Sequence, residues 1–540
     1  MQALFKSKNL YFSAFILVFL VALFHNIGLT ALTADEPTRT VVAMELDYND
    51  NLFVSTLNGV YYYNKLPIYN WIILGLYKIT DSKAEWVSRL PTVLSLIAFC
   101  VVIFQWSKKY LGNQSAFLAA IIFATCSRIL FYDSMLGLID MFFGLLIFIS
   151  FICVYEFHKK ERLALLFVST YSIMSVCFLM KGLQAIAFQG MTLLGWFIFQ
   201  KQFKKLFGWQ HFLGIGTSLG VISLFFFFYT QTNSLDELVS TLWSESSKRT
   251  VGKSSSWVND LIHLLTFPVK NVLLDILPWG AIFFFLFNKG IRQQFIKQPL
   301  VSFSLIILGT NIIVYWLSPE TRGRYLFPHY GLLSILMSIL ITKTEVHTKL
   351  GWLLKVSNKI TLGLFICSIL ALVLFYFLPE FNLELLSKIK QTPNFYSGIW
   401  IAFIIALLTL GLSKSTHTTA TLSFVLVLIG SRALFNSFII PSRLVTERTE
   451  FYKSESLRLA HSYNSKPLKI VEYTPINHGM SHYIMVEQDR LIPRIKLEDI
   501  QPNELYLVDK NLSENAGLTI IDQFTIEWGD RTMYVAECID

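Results

Sequence analysis

Long apolar runs separated by short polar connections set the pattern of this chain. The first, Leu10 to about Leu32, follows Lys6 and Lys8; others lie near 90–106, 112–131, 135–157, 163–180, 183–200, 212–230, 271–287, 299–317, 325–342, 360–378, 397–412 and 418–438. Each approaches the ~20 residues that carry a helix across ~30 Å of hydrocarbon, so the pattern predicts about thirteen transmembrane helices. The first run is too long for a signal-peptide core and lacks a small-x-small cleavage site, so it reads as a retained span. From about Ile440 the apolar runs stop, and Thr446-Glu447-Arg448-Thr449-Glu450 opens a polar stretch. A helical pattern over 448–462 precedes β-like runs at 468–473, 505–508, 518–524 and 533–536. A small soluble α/β domain over 440–540 is therefore expected after an all-α polytopic membrane domain over 1–439.

Composition narrows the class. Of the 540 residues 54% are hydrophobic and only 15% charged, and the 47 Phe outnumber the 36 Asp and Glu together. A soluble or disordered chain has nowhere to place so many apolar rings, which leaves an integral membrane protein. The formal charge of +9 then needs an account other than nucleic acid. With the N-terminus in the cytoplasm, alternate connections carry Lys108/Lys109, Lys159/Lys160/Arg162, Lys201/Lys204/Lys205, Lys289/Arg292/Lys297, Lys343/Lys349/Lys355 and Lys414. Short cytoplasmic loops are rich in Lys and Arg for topological reasons, so the excess cations assign inside loops, not a nucleic-acid partner. The opposite connections, including 33–88 and 231–270, mix acids with bases, and an odd number of spans puts the C-terminal domain outside. Five of the six cysteines lie in apolar runs, so no disulfide framework is implied, and no Cys/His spacing suggests a structural metal.

Groups able to do chemistry gather at the expected outer boundary. A transporter usually places ionisable residues at mid-membrane, where only Asp140 and Asp275 are candidates; an enzyme acting on lipid head groups needs them at the interface. Asp35 and Glu36 stand where the first span emerges, followed by Pro37 and Arg39. They read either as a helix cap with proline in the first turn or as a general base with an arginine that sets its ionisation or holds an anion. Lys65 lies among Tyr61, Tyr62, Tyr63, Tyr69 and Trp71 beside Pro67, a setting suited to a phosphate at head-group level. Asp133 and Asp140, seven apart, fall nearly on one face of a continuous helix. Lys181-Gly182 sits between two spans; loop 231–270 offers Glu245, Lys248, Arg249, Lys253 and His263; and Arg324-Tyr325 opens a later span.

The order Asp35-Glu36, Lys65-x-Pro67, Ser127-Arg128-x4-Asp133-x-Met135-Leu136, Lys181-Gly182, Leu277-Pro278-Trp279 and Arg324-Tyr325-Leu326-x-Pro328 resembles the GT-C-fold glycosyltransferases, in the branch of the lipid A aminoarabinose transferases and protein O-mannosyltransferases. The resemblance spans about residues 10–345; Asn64 and Leu66 depart from the glutamate and proline frequent around the family lysine, and Arg39 is shifted relative to the family arginine. It implies inverting transfer of a sugar from a polyprenyl-phosphate donor to a lipid A, glycan or protein acceptor on the outer face of a bacterial inner membrane. In that scheme Asp35 is the base, with Glu36 and Asp133 in the catalytic group. Lys65, Arg249, Lys181 and Arg324 meet the donor phosphate, while Arg39, Tyr62, Tyr63, Asp140, Glu245, His263 and Tyr325 contact substrate. A divalent cation held by Asp35 and Asp133 is an option the resemblance allows, although the cations already present make it dispensable. Rival readings are a lipid or solute transporter without covalent chemistry and the transfer of an assembled lipid-linked oligosaccharide.

Overall fold

The structure, a computed structural model, describes residues 8–247, 257–318, 321–343, 356, 359–371, 374, 390–391, 395–415, 419–515, 517–526 and 531–538. Two compact units appear. The first comprises residues 1–26, 92–226 and 239–439, and the second 27–91, 227–238 and 440–540.

The first unit is helical. Among the described residues seven helices are long and apolar enough to cross a membrane: Glu85–Leu111, which begins in the second unit, Ile139–Lys159, Leu163–Lys181, Trp209–Tyr229, Gly323–Lys343, Phe395–Ser413 and Ala420–Thr446. Three further stretches are bent pairs, Asn113–Ala124 with Ser127–Met135, Leu261–Leu274 with Trp279–Phe287, and Lys289–Ile296 with Val301–Trp316, which raises the number to at most ten. The other three expected runs appear as shorter apolar helices, Asn9–Phe24, Gln184–Phe199 and Lys359–Ala371. Among the described residues seven to ten spans are thus present where the apolar runs predict about thirteen. Average hydropathy cannot register a break: the 271–287 run turns through 114° between its halves.

Close helix packing rests on small residues. A Cβ on Gly144 would lie 2.9 Å from Phe327 Cβ, and one on Gly331 would lie 2.9 Å from the Phe148 ring, so helices Ile139–Lys159 and Phe327–Lys343 approach where no side chain intervenes. Arg432, 1% exposed inside an apolar helix, donates to the carbonyls of Ala22 and Leu130. Those bonds satisfy a guanidinium that hydrocarbon would otherwise penalise heavily.

The second unit joins the segment after the first helix to the end of the chain. Its sheet runs in the spatial order Arg494–Ile495, Leu468–Val471, Leu505–Val508, Arg531–Glu537, Thr519–Ile526, with the first three strands parallel and the last two pairings antiparallel. Val471, Tyr506, Val508, Leu518 and Ala536 form a core on one side of it. Strands Leu468–Val471, Leu505–Val508, Thr519–Ile526 and Arg531–Glu537 fall at the expected β-like runs, and helix Arg448–Ser462 matches the expected bounds. Helix His478–Gln488, unforeseen, packs against both Arg448–Ser462 and helix Glu36–Tyr48. Long-range bonds hold the early segment there: Leu32 N donates to Tyr483 Oη at 2.8 Å, Arg494 N to Asn58 O at 2.7 Å, and Lys453 pairs with Glu85 at 2.5 Å.

Candidate functional site

In the first unit, Asp140 is the centre of a buried ion cluster. It occupies the first turn of Ile139–Lys159, where the helix dipole favours a carboxylate, and is 3% exposed. Its Oδ1 lies 2.5 Å from Lys181 Nζ and its Oδ2 3.0 Å from Arg324 Nε. Lys181 ends helix Leu163–Lys181 and Gly182 follows at φ +75°, which stops that helix with the ammonium at its tip. The ammonium also lies 4.3 Å from the centre of the Tyr325 ring and 4.8 Å from that of Phe143. Two cations thus converge on one carboxylate in apolar surroundings, where their charge acts strongly on any group between them.

A second cluster adjoins the turn before Arg324. Arg128 Nε lies 2.7 Å from Asp133 Oδ2 and its Nη1 3.5 Å from Asp275 Oδ2, which also accepts from Tyr330 Oη at 3.1 Å. Gly323 leaves no room for a Cβ beside Asp275 and Arg128, so the backbone passes directly over the pair. The expected single helical face for Asp133 and Asp140 is corrected here. Asp133 lies in a short turn, Asp133–Met135, and the chain is extended at Leu136 and Leu138 before the next helix begins. The two carboxylates accordingly serve different arginines. Sequence reasoning named Arg128 only as a motif member and gave Asp275 no partner.

In the second unit, Asp35 is the N-cap residue of Glu36–Tyr48 and Pro37 stands in the first turn, yet the Asp35 side chain makes no capping bond and is exposed. Glu36 is the opposite case. It is 0% exposed, accepts from Thr33 N at 2.8 Å and receives Arg89 Nε and Nη2 at 2.9 and 3.1 Å. Arg89 also donates to the carbonyls of Ile27, Thr30 and Ala31, so this pair fixes the chain entering the helix. Glu36, expected in the catalytic group, is thus buried against Arg89, and Asp35 is the carboxylate presented outward. Arg89 was missed; a lone arginine at the start of an apolar run was its available signal.

Arg39 donates to the Tyr62 hydroxyl and its guanidinium lies 5.3 Å from the centre of that ring. Tyr63 Oη accepts from Asn233 at 3.3 Å, and Lys65 is half-buried just before helix Ile68–Thr80. His263 is half-buried on Trp257–Phe267 in the first unit. Glu245 lies on helix Asp236–Ser247, while Arg249, with Lys248 and Lys253, lies outside the described residues. The structure therefore brings together Asp140, Lys181, Arg324 and Tyr325 in one unit, and Asp35, Arg39 and Tyr62 in the other. No group of three or more His, Cys, Asp or Glu among the described residues is placed to hold a metal ion; Asp133, named with Asp35 only as a ligand should a cation be present, lies 2.7 Å from Arg128.

This architecture, a polytopic helical protein with a buried cation cluster and a mixed sheet near its end, is that of the GT-C fold expected from the motifs. Among solved structures the chain is similar to ArnT from Cupriavidus metallidurans bound to undecaprenyl phosphate, with a TM-score of 0.69 and 16% identity over 98% of each chain. It is equally similar to the apo state of that protein, at a TM-score of 0.68 and 16% identity over 97% of each chain. Residues 64–228 match the sequence profile of the family described as dolichyl-phosphate-mannose-protein mannosyltransferase. No curated protein matches the chain by sequence.

Proposed function

We propose that the protein is an inverting glycosyltransferase that moves a sugar from a polyprenyl-phosphate donor to a membrane-associated acceptor, working at the outer face of a bacterial inner membrane with residues 440–540 outside the cytoplasm. The observation that carries this reading is the Lys181–Asp140–Arg324 cluster, buried among spans of a chain that shares the fold of a protein crystallised with undecaprenyl phosphate. A lipid phosphate leaving group gains negative charge as the glycosidic bond breaks, and preorganised cations in an apolar site stabilise that charge without reorganising. Lys181 and Arg324 fit that task, and Tyr325 supplies an aromatic wall beside the lysine. Asp35, exposed and free of capping duty, is the candidate base that accepts the proton of an acceptor hydroxyl as the new bond forms. Lys65 and Arg249 remain candidates for the phosphate.

The test is turnover by purified protein given synthetic polyprenyl-phosphate sugars, with mass spectrometry of envelope lipids, glycans and proteins from cells with and without the protein to identify the product. Release of polyprenyl phosphate together with a glycosylated acceptor is the expected result. Movement of intact donor across a vesicle membrane with no bond cleaved would establish the transporter reading instead.

A further inference from the structure

Around the N-terminus of helix His478–Gln488, polar groups accumulate that neither the fold nor the chemistry above has used. Arg39 is 6% exposed; its Nη2 is engaged by Tyr62, whereas its Nη1 is buried with no hydrogen-bond partner. His478, the first residue of the helix, has a buried Nδ1 in the same condition. Thr474, 1% exposed, has a buried hydroxyl without a partner, and its carbonyl accepts from Arg494 Nη1 at 2.8 Å. These residues lie close together. Gly479 approaches the first turn of the Asp35 helix so nearly that a Cβ there would lie 3.8 Å from Pro37 Cγ. Burial lowers the His478 pKa, and the charges that lower it further are those of Arg494 and Arg39. Glu472 is the acid whose charge acts on Arg494.

Two guanidiniums, an imidazole able to donate from Nδ1 and a hydroxyl present donors and positive potential around buried atoms without partners, while the first amides of the helix are already met by Asn477. Leaving such groups buried and unpaired is costly, and an oxyanion is the ligand that would satisfy most of them at once. A neutral sugar hydroxyl would not offset two guanidinium charges.

We propose that Arg39, His478 and Arg494 form an oxyanion site that holds a phosphate or carboxylate substituent of the acceptor, with Arg39 about one helical turn along the chain from the candidate base Asp35. The acceptor is then a hydroxyl compound with a separate anionic group nearby. Asp35 takes the proton of the hydroxyl, while the C-terminal domain reads the anion and orients the nucleophile. This assignment rests on the transferase reading for the word acceptor, whereas the anion site itself rests on geometry alone.

The experiment uses the full-length protein in nanodiscs titrated with methyl phosphate, by calorimetry and 31P NMR, in the presence of saturating undecaprenyl phosphate to occupy any donor site. Saturable binding is expected, weakened at least tenfold in His478→Gln and in Arg494→Gln and partly restored in Arg494→Lys. Thermal unfolding of each variant identifies any that is misfolded, and the Arg494→Lys rescue separates charge recognition from a structural role. Equal affinity in wild type and both Gln variants would overturn the site. Methyl phosphate binding that is weakened by His478→Gln but seen only when undecaprenyl phosphate is left out would assign the anion to the donor and overturn the acceptor reading. Sugar transfer without methyl phosphate binding would sink the site and spare the enzyme; binding without transfer from any lipid donor would sink the enzyme reading and its acceptor.

Discussion

Replacing Asp140 by Asn removes the one carboxylate that faces both Lys181 and Arg324 in the buried cluster. The native carboxylate is 3% exposed, 2.5 Å from one cation and 3.0 Å from the other. Removing one partner of a buried ion pair typically costs about 3–5 kcal/mol, because an uncompensated charge stays behind. A loss in that range is expected here, roughly a hundredfold to a few thousandfold in the unfolding equilibrium. Equilibrium unfolding in mixed SDS–detergent micelles reads this directly. A phosphate lodged between the two cations would supply the charge that Asp140→Asn removes. Ligand at about a hundred times its dissociation constant adds roughly 2.7 kcal/mol to the state that binds it. Undecaprenyl phosphate should therefore stabilise the variant more than wild type, since the vacated cations bind it more tightly. Two results would refute the reasoning: a variant as stable as wild type without lipid, or lipid that stabilises both proteins equally. The first would mean that Asp140 is not the counter-ion of the cluster, the second that the phosphate does not bind there.

Asp35→Asn should lower sugar transfer by about a hundredfold, the scale of a lost general base, measured as turnover of the purified, folded variant. Glu36→Gln should instead destabilise the fold by about 3–5 kcal/mol through loss of the buried Arg89 pair, read as unfolding and not as a selective loss of turnover. Lys65→Ala should raise the donor concentration needed for half-maximal rate, with Lys65→Arg a partial substitute because a planar fork does not replace a compact ammonium. The His482 imidazole is held neutral, its pKa pushed down to about 4 by burial from an ordinary 6.5. Its folded value lies below the unfolded one, so its contribution to stability is complete above pH 6.5 and lost as pH falls toward 4; at pH 5 the loss is about 2 kcal/mol. His482→Phe should flatten that part of the stability–pH curve, and an unchanged curve would remove His482 as its cause. In a background without native cysteines, a Cys at exposed Ser465 should react with a membrane-impermeant thiol reagent in intact cells and one at exposed Lys204 should not; the reverse pattern would invert the topology.

The sequence by itself determined that the chain is a membrane protein, where its long apolar helices fall, and that a sheet-containing domain follows them. Hydropathy and alternation are local properties imposed by solvent. A run of apolar residues must become a helix in hydrocarbon because its backbone has no other partners there, and this holds whatever it packs against. The tertiary structure decided what each polar group does. Nothing within a few residues of Asp140 indicates that its partners are Lys181 and Arg324, or that extended backbone at Leu136 and Leu138 separates it from Asp133. Asp35 and Glu36 are adjacent and chemically alike, and only the arrival of Arg89 buries one and leaves the other presented outward. That residues 27–91 and 440–540 share one compact unit, which brings His478 and Arg494 to Arg39, was equally out of reach. Charges in an apolar interior must find partners, and those partners are supplied by packing between distant segments, which no local pattern encodes.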